Sequence, residues 1–241
     1  MRVVILGCGT GVGKTRVSVA LLRALALRGL PTLGLKPIES GIEQASDLST
    51  APPGSDAAAL ASAGSLRAQV LHPLYALREP VSPHLAARSS GTEIDLSRVK
   101  AWVAEAESSM TPLVVPHSAL FTVIETAGGV FSPLCPGAAN FELALALEPA
   151  TWVLVAADAL GVLHDVSSTL KAMRACRREP DHLVLSGARE PDASTGSNAT
   201  ELAALGIATP SAVLARNDDR GVTSLVDRLL SDEARSAAEA R

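Results

Sequence analysis

The chain has 241 residues, of which 47% are hydrophobic, 19% charged and 2% aromatic. That length buries roughly 70–75% of the unfolded surface, and the composition is too apolar for a disordered chain. With 21 Lys and Arg against 25 Asp and Glu, the net charge is −4, which gives no clustered positive field for a nucleic acid and few rings to stack on bases.

Residues 3–6 form a fully apolar run that stops at Gly7, as in a central parallel strand. After a glycine-rich stretch, Val17, Ala20, Leu21 and Ala24 recur at helical spacing, and Gly29 is a C-terminal stop. Residues 33–35 predict a second strand that leads into Lys36. Further strands are predicted at 122–124, 152–156, 182–185 and 211–214, and Val166, Leu170 and Met173 mark a helix between two of them. Residues 46–55 and 189–198, rich in Ser, Pro, Gly and Asp, predict surface loops. Residues 216–241 read as a charged amphipathic helix carrying Leu225, Leu229 and Leu230. Strands alternating with helices predict the α/β class, with an open, mostly parallel sheet covered by helices on both faces. With no internal repeat and no linker, one domain over 1–241 is expected.

No apolar run approaches the roughly 18 residues that cross a bilayer, and the first residues read as a strand rather than a leader. Cys8, Cys135 and Cys176 are too scattered for a metal site or a disulfide framework. A cytoplasmic setting without membrane or nucleic-acid partners is the expectation.

The segment Gly7-Cys-Gly-Thr-Gly-Val-Gly-Lys14-Thr15 carries the chemistry. A strand runs into a glycine loop that opens a helix, so backbone N–H groups turn inward toward a phosphate. The helix N-terminus adds partial positive charge, Lys14 adds a full one, and the Thr15 hydroxyl is placed to hold Mg²⁺. This predicts a P-loop nucleotide site over Gly9, Thr10, Gly11, Val12, Gly13, Lys14 and Thr15. Five residues, rather than the usual four, separate Gly7 from Gly13. Partitioning and cell-division-positioning ATPases carry a second lysine where this chain has Gly9, which counts against them.

Beyond that loop, Lys36-Pro-Ile-Glu-Ser-Gly41, Ser55-Asp56-Ala57, Glu79-Pro-Val-Ser-Pro-His84-Leu-Ala-Ala87, Glu125-Thr-Ala-Gly-Gly129 with Ser132-Pro-Leu134, and Leu160-Gly-Val-Leu-His164 follow in order. Together they resemble the dethiobiotin synthetases, over roughly residues 1–170. The resemblance implies an ATP-dependent ligase acting on 7,8-diaminononanoate and CO2. One amine becomes a carbamate, its oxygen attacks the γ-phosphate, and the second amine closes a cyclic urea with loss of phosphate.

By that resemblance, Lys36 and Lys14 are the catalytic lysines, and Thr15, Asp56 and Glu125 share Mg²⁺ with the phosphates. Asp56, Glu125, Ala127, Gly128 and Ser186 join the loop in nucleotide binding. Thr10, Lys36, Ser40, Ser82 and Pro83 meet the diamine, while Leu160, Gly161, Val162 and His164 reach the substrate's carboxylate across a homodimer interface. His84 is read as a loop-stabilising residue. Three positions depart from the family pattern. Thr126 replaces a glycine, His164 an asparagine, and Leu185-Ser-Gly-Ala-Arg189 lacks the asparagine that reads adenine. Two other readings fit the loop: a carboxylate-activating synthetase of the cobyrinate diamide synthetase type, which usually has an added glutaminase domain, and a nucleotide-binding regulatory protein without turnover.

Overall fold

The computed structural model describes residues 1–42, 51–66, 72–114 and 119–239. In chain order the elements are β1 (Arg2–Gly7), α1 (Lys14–Leu27), β2 (Thr32–Leu35), β3 (Ile38–Ser40), α2 (Asp56–Ala63), β4 (Tyr75–Leu77), α3 (Pro83–Ser89) and α4 (Leu96–Met110). They continue with β5 (Phe121–Glu125), β6 (Pro133–Cys135), β7 (Ala138–Ala139), α5 (Asn140–Ala146) and β8 (Thr151–Asp158). The last are α6 (Val162–Ala175), β9 (His182–Gly187), α7 (Asn198–Ala204), β10 (Ala212–Leu214) and α8 (Val222–Glu239).

Six strands form one sheet in the order β10-β9-β8-β1-β5-β2, and every neighbouring pair is parallel. All six apolar runs of the sequence are strands of this sheet. Their lack of polar alternation has a simple cause, because both faces are covered. Val3 and Ile5 face a core built with α1, α2 and α8. Val4 and Leu6 face the opposite core, with α3, α4, α5, α6 and α7. On β2, a Cβ at Gly34 would stand 2.6 Å from the Leu60 carbonyl and 2.7 Å from a Leu22 methyl. Glycine there lets α1 and α2 lie flush on the strand.

Some short elements carry no periodic signal. β3 and β4 form a separate parallel ribbon, and β6 and β7 a small antiparallel one. The C-terminal helix begins at Val222 rather than 216. Residues 215–221 instead form a turn, with a bridge between Ala215 and Asp218 and the Asp218 carboxylate accepting the Arg220 N–H. Leu225 and Leu229 are fully buried on the sheet, with Val222 and Val226 beside them, while Leu230 is only half-buried. Within the predicted loop at 46–55, residues 46–50 lie outside the described residues. Among described helices, none is long and apolar enough to cross a membrane.

The C-terminal ends of β1, β2 and β5 and the N-terminus of α1 open on one side. Open α/β sheets bind ligands at strand C-terminal ends.

Candidate active site

The glycine loop connects β1 directly to α1, with Lys14 as the first helical residue. Gly13 has φ +94°, and a Cβ there would meet Ser186 Oγ at 2.3 Å. No other residue type fits that backbone and that space. The Lys14 ammonium is buried, and its hydrogen-bond contact among the described residues is the Gly9 carbonyl at 3.5 Å. Burial lowers its pKa to about 8, with Glu125 and Asp56 pulling the other way and Lys36 adding to the fall.

Facing it is a set of acids. Glu125 ends β5 and is completely buried. Its Oε1 accepts from Thr15 Oγ1 at 2.9 Å and from Lys36 Nζ at 2.6 Å, and its Oε2 lies 2.9 Å from Ser18 Oγ. Lys36, one residue past β2, also donates to the Asp56 carboxylate. Burial disfavours the Lys36 charge, but Glu125 and Asp56 outweigh it and raise the pKa. For Asp56 burial likewise opposes ionisation. The Lys36 ammonium, with help from Thr15 and Lys14, holds its carboxyl below the ordinary value.

Asp56 opens α2, whose N-cap Ser55 accepts from the Ala58 N–H at 3.1 Å. The two preceding amides, of Asp56 and Ala57, donate to the Glu39 carboxylate at 2.7 and 3.0 Å. Burial raises the Glu39 pKa, against the two amide bonds and the nearby Lys36. Neither Glu39 nor Ser18 was singled out from sequence. Ser18 lies one helical turn after Lys14, a spacing that would have found it. Glu39 occupies a motif position with no diagnostic residue type.

These groups enclose a cavity of about 330 Å³. Thr10, Gly11, Gly13, Lys14 and Thr15 line one side, and Lys36, Glu39, Ser40 and Asp56 another; Glu125, Ala127 and Gly128 complete it. Asn140, fully buried, fixes the Ala127–Gly128 wall by donating from Nδ2 to the Ala127 carbonyl at 2.6 Å and the Gly129 carbonyl at 2.8 Å.

The remaining expected residues lie elsewhere. Gly9 and Val12 belong to the loop but not to the lining. Ser186, 1% exposed, is packed beneath Gly13, and its hydroxyl has no hydrogen-bond partner among the described residues. Ser82 takes the N-cap position of α3 without a side-chain capping bond, its hydroxyl instead lying 3.0 Å from His84 Nδ1, and Pro83 is buried behind it. Leu160 is 85% exposed on a turn that Gly161 closes, Val162 commits its side chain to the core, and His164 is exposed. None of these seven, Ser186, Ser82, Pro83, Leu160, Gly161, Val162 and His164, lines the Lys36 cavity. The β-branched Thr126 is accommodated within the sheet, because its hydroxyl donates to the Ile5 carbonyl at 2.9 Å.

Comparison with known proteins bears directly on this site. The AAA domain family matches residues 1–220. An ATP-dependent dethiobiotin synthetase from Nitrosospira multiformis is 34% identical over 171 residues, covering 71% of this chain and 69% of its own. Another from a Caulobacter strain is 33% identical over 234 residues, covering 96% and 95%. This chain belongs to the dethiobiotin synthetase family. The Caulobacter match spans nearly the full length of both chains.

Among solved structures, the receptor FtsY from Elizabethkingia anophelis superposes with a TM-score of 0.51 at 12% identity, over 94% of this chain and 64% of that one. The MinC:MinD complex of Aquifex aeolicus gives 0.50 at 13%, over 95% of each. These likenesses show the α/β fold and no more. The second lysine expected of the partitioning ATPases is absent here, with Gly9 in its place, whereas the dethiobiotin synthetase relatives share a third of their residues with it.

Proposed function

We propose that the protein is a dethiobiotin synthase that carboxylates 7,8-diaminononanoate and closes it to a cyclic urea at the expense of ATP, within one domain. The observation that carries this reading, beyond family membership, is Lys36 Nζ held between Glu125 and Asp56 while Lys14 stands in the same cavity with no anion in contact among the described residues. A phosphoryl group entering there meets two ammonium groups and the N–H groups of a glycine loop.

The amine attacks CO2 and loses a proton to give a carbamate. A carbamate oxygen then attacks the γ-phosphorus and ADP leaves. The second amine attacks the carbonyl carbon of the mixed anhydride, and phosphate departs as the ring closes. Lys14 binds the β- and γ-phosphates, and Lys36 neutralises the carbamate and the phosphoryl group in transfer. Thr10 and Ser40 line the same cavity and hold the diamine, and the Ser82–Pro83 turn contributes from outside it.

Thr15, Asp56 and Glu125 offer only hard oxygen donors; the two carboxylates already hold a cation, the Lys36 ammonium, and the Thr15 hydroxyl donates to Glu125. Two carboxylates and a hydroxyl suit Mg²⁺, which takes one or two carboxylates and shares the rest of its shell with phosphates and water. When bound there it supplies charge neutralisation to the phosphates.

Leu160, Gly161, Val162 and His164 lie outside the cavity. We assign them to the substrate carboxylate of a neighbouring protomer in a homodimer, in a cytoplasmic enzyme. The first measurement is dethiobiotin formation from diaminononanoate, bicarbonate and Mg²⁺ with ATP, GTP and CTP side by side. Product with any of them supports the reaction, and the preferred nucleotide reports what residues 185–189 read. Nucleotide binding without product from any of the three overturns it.

A further inference from the structure

Glu39 is a buried carboxylate that the proposed mechanism does not use. Its side chain lies on β3, whose backbone is fixed by parallel pairing of Ile38, Glu39 and Ser40 with Tyr75, Ala76 and Leu77. Only 5% of the residue is exposed, and it forms no ion pair among the described residues. Burying a carboxylate without a contacting cation is costly, and the two amide bonds from Asp56 and Ala57 offset that cost.

A helix start does not need such a group. Ser55 already caps α2 in the ordinary way, and the amides of the first two helical residues are commonly left to water. Here all three leading amides of α2 are satisfied, two of them by a side chain from a different element. The residue so fastened is Asp56, whose own carboxylate side is 42% exposed and reaches Lys36. Among the described residues, the Glu39 bonds are the ones that tie the backbone of the first turn of α2 to the ribbon beside the cavity.

We propose that Glu39 is a positioning residue: it pins the first turn of α2 so that the Asp56 carboxylate faces the Mg²⁺–nucleotide position. This rests on the reading of Asp56 as a ligand of that position. Three variants, Asp56→Ala, Glu39→Ala and the double variant, test it. The readouts are the Mg²⁺ concentration giving half-maximal binding of a fluorescent ATP analogue, and phosphate release with diaminononanoate at saturating Mg²⁺.

Glu39→Ala is expected to raise the Mg²⁺ requirement about tenfold, the scale of a lost hydrogen bond to a charged group. The KM for diaminononanoate should stay within about twofold, and the double variant should be no worse than Asp56→Ala alone, because both changes remove one interaction. The isosteric Glu39→Gln keeps one acceptor oxygen. It should fall between wild type and Glu39→Ala, and it serves if Glu39→Ala does not fold. Additive losses in the double variant overturn the proposal, as does a raised KM for the diamine with an unchanged Mg²⁺ requirement, which would make Glu39 a substrate contact. If Asp56→Ala itself leaves the Mg²⁺ requirement unchanged, the assignment of Asp56 fails and the role of Glu39 fails with it. If only Glu39→Ala does so, the assignment of Asp56 survives.

Discussion

The two ends of the sheet make an instructive pair. At the N-terminal edge, under α8, lies a cavity of about 1030 Å³, three times the volume of the one at the glycine loop. Several of its polar groups are tied up in the protein. His182 contacts Ser211 Oγ at 3.2 Å through Nδ1 and Asp232 at 3.0 Å through Nε2, and Arg235 pairs with the same Asp232. Asp181 and Asp227 of the lining pair with Arg178 and Arg28 just outside it. At the other end, among the described residues, Lys14 is buried with only a carbonyl at 3.5 Å, and Ser186 keeps an unpartnered hydroxyl. A buried ammonium with no anion in contact is only partly compensated by the more distant Glu125 and Asp56, so it marks where an anionic ligand completes the structure. Cavity volume carries no such information.

Four experiments break or sharpen that contrast. Lys36→Ala removes the cation between two carboxylates, and phosphate release should fall by about three orders of magnitude. Nucleotide binding should be largely retained. Binding lost in proportion to turnover, in a fluorescence titration, would assign Lys36 to the nucleotide instead. Asn140→Ala strands the buried Ala127 and Gly129 carbonyls. Chemical denaturation should show a loss of about 2 kcal/mol, with an accompanying rise in the KM for nucleotide or diamine as the cavity wall loosens.

At the opposite edge, His182→Gln should cost about 1 kcal/mol by loosening α8 while turnover stays within about twofold. A large loss of activity in that variant would end the distinction between the two edges. The smallest effect concerns Cys8. Burial pushes its thiol up to about 11, whereas Cys176 is exposed. Iodoacetamide at pH 8 should therefore label Cys176 and spare Cys8 until the pH nears 11, as read by peptide mass spectrometry.

The sheet was legible because its strands are buried on both faces and so read as unbroken apolar runs at 3–6, 33–35 and 152–156. The ribbons β3–β4 and β6–β7 were not, since two or three residues carry no period. The glycine loop could be read from physical chemistry alone. Lys36, Asp56 and Glu125 are far apart in sequence, and only a known pattern brought them together before the structure did. Glu39 escaped both routes. Its role depends on the meeting of β3 with α2, which no local spacing encodes. The start of α8 was misread because residues 216–221 are as polar as a helix surface but are held in a turn by Asp218 and Arg220.

The place of β1 in the sheet has a consequence for synthesis. It leaves the ribosome well before either of its two neighbours, β5 and β8, with Val3 opposite Val123 on one side and Thr151 on the other. Until the middle of the chain has been delivered, an apolar strand with both edges open must be kept from pairing with anything else. Distant parallel pairings of this kind close slowly and expose the chain to aggregation meanwhile. The glycine loop, strung between β1 and α1, takes its working shape only when that sheet closes, so the phosphate site is among the last parts of the nascent protein to exist.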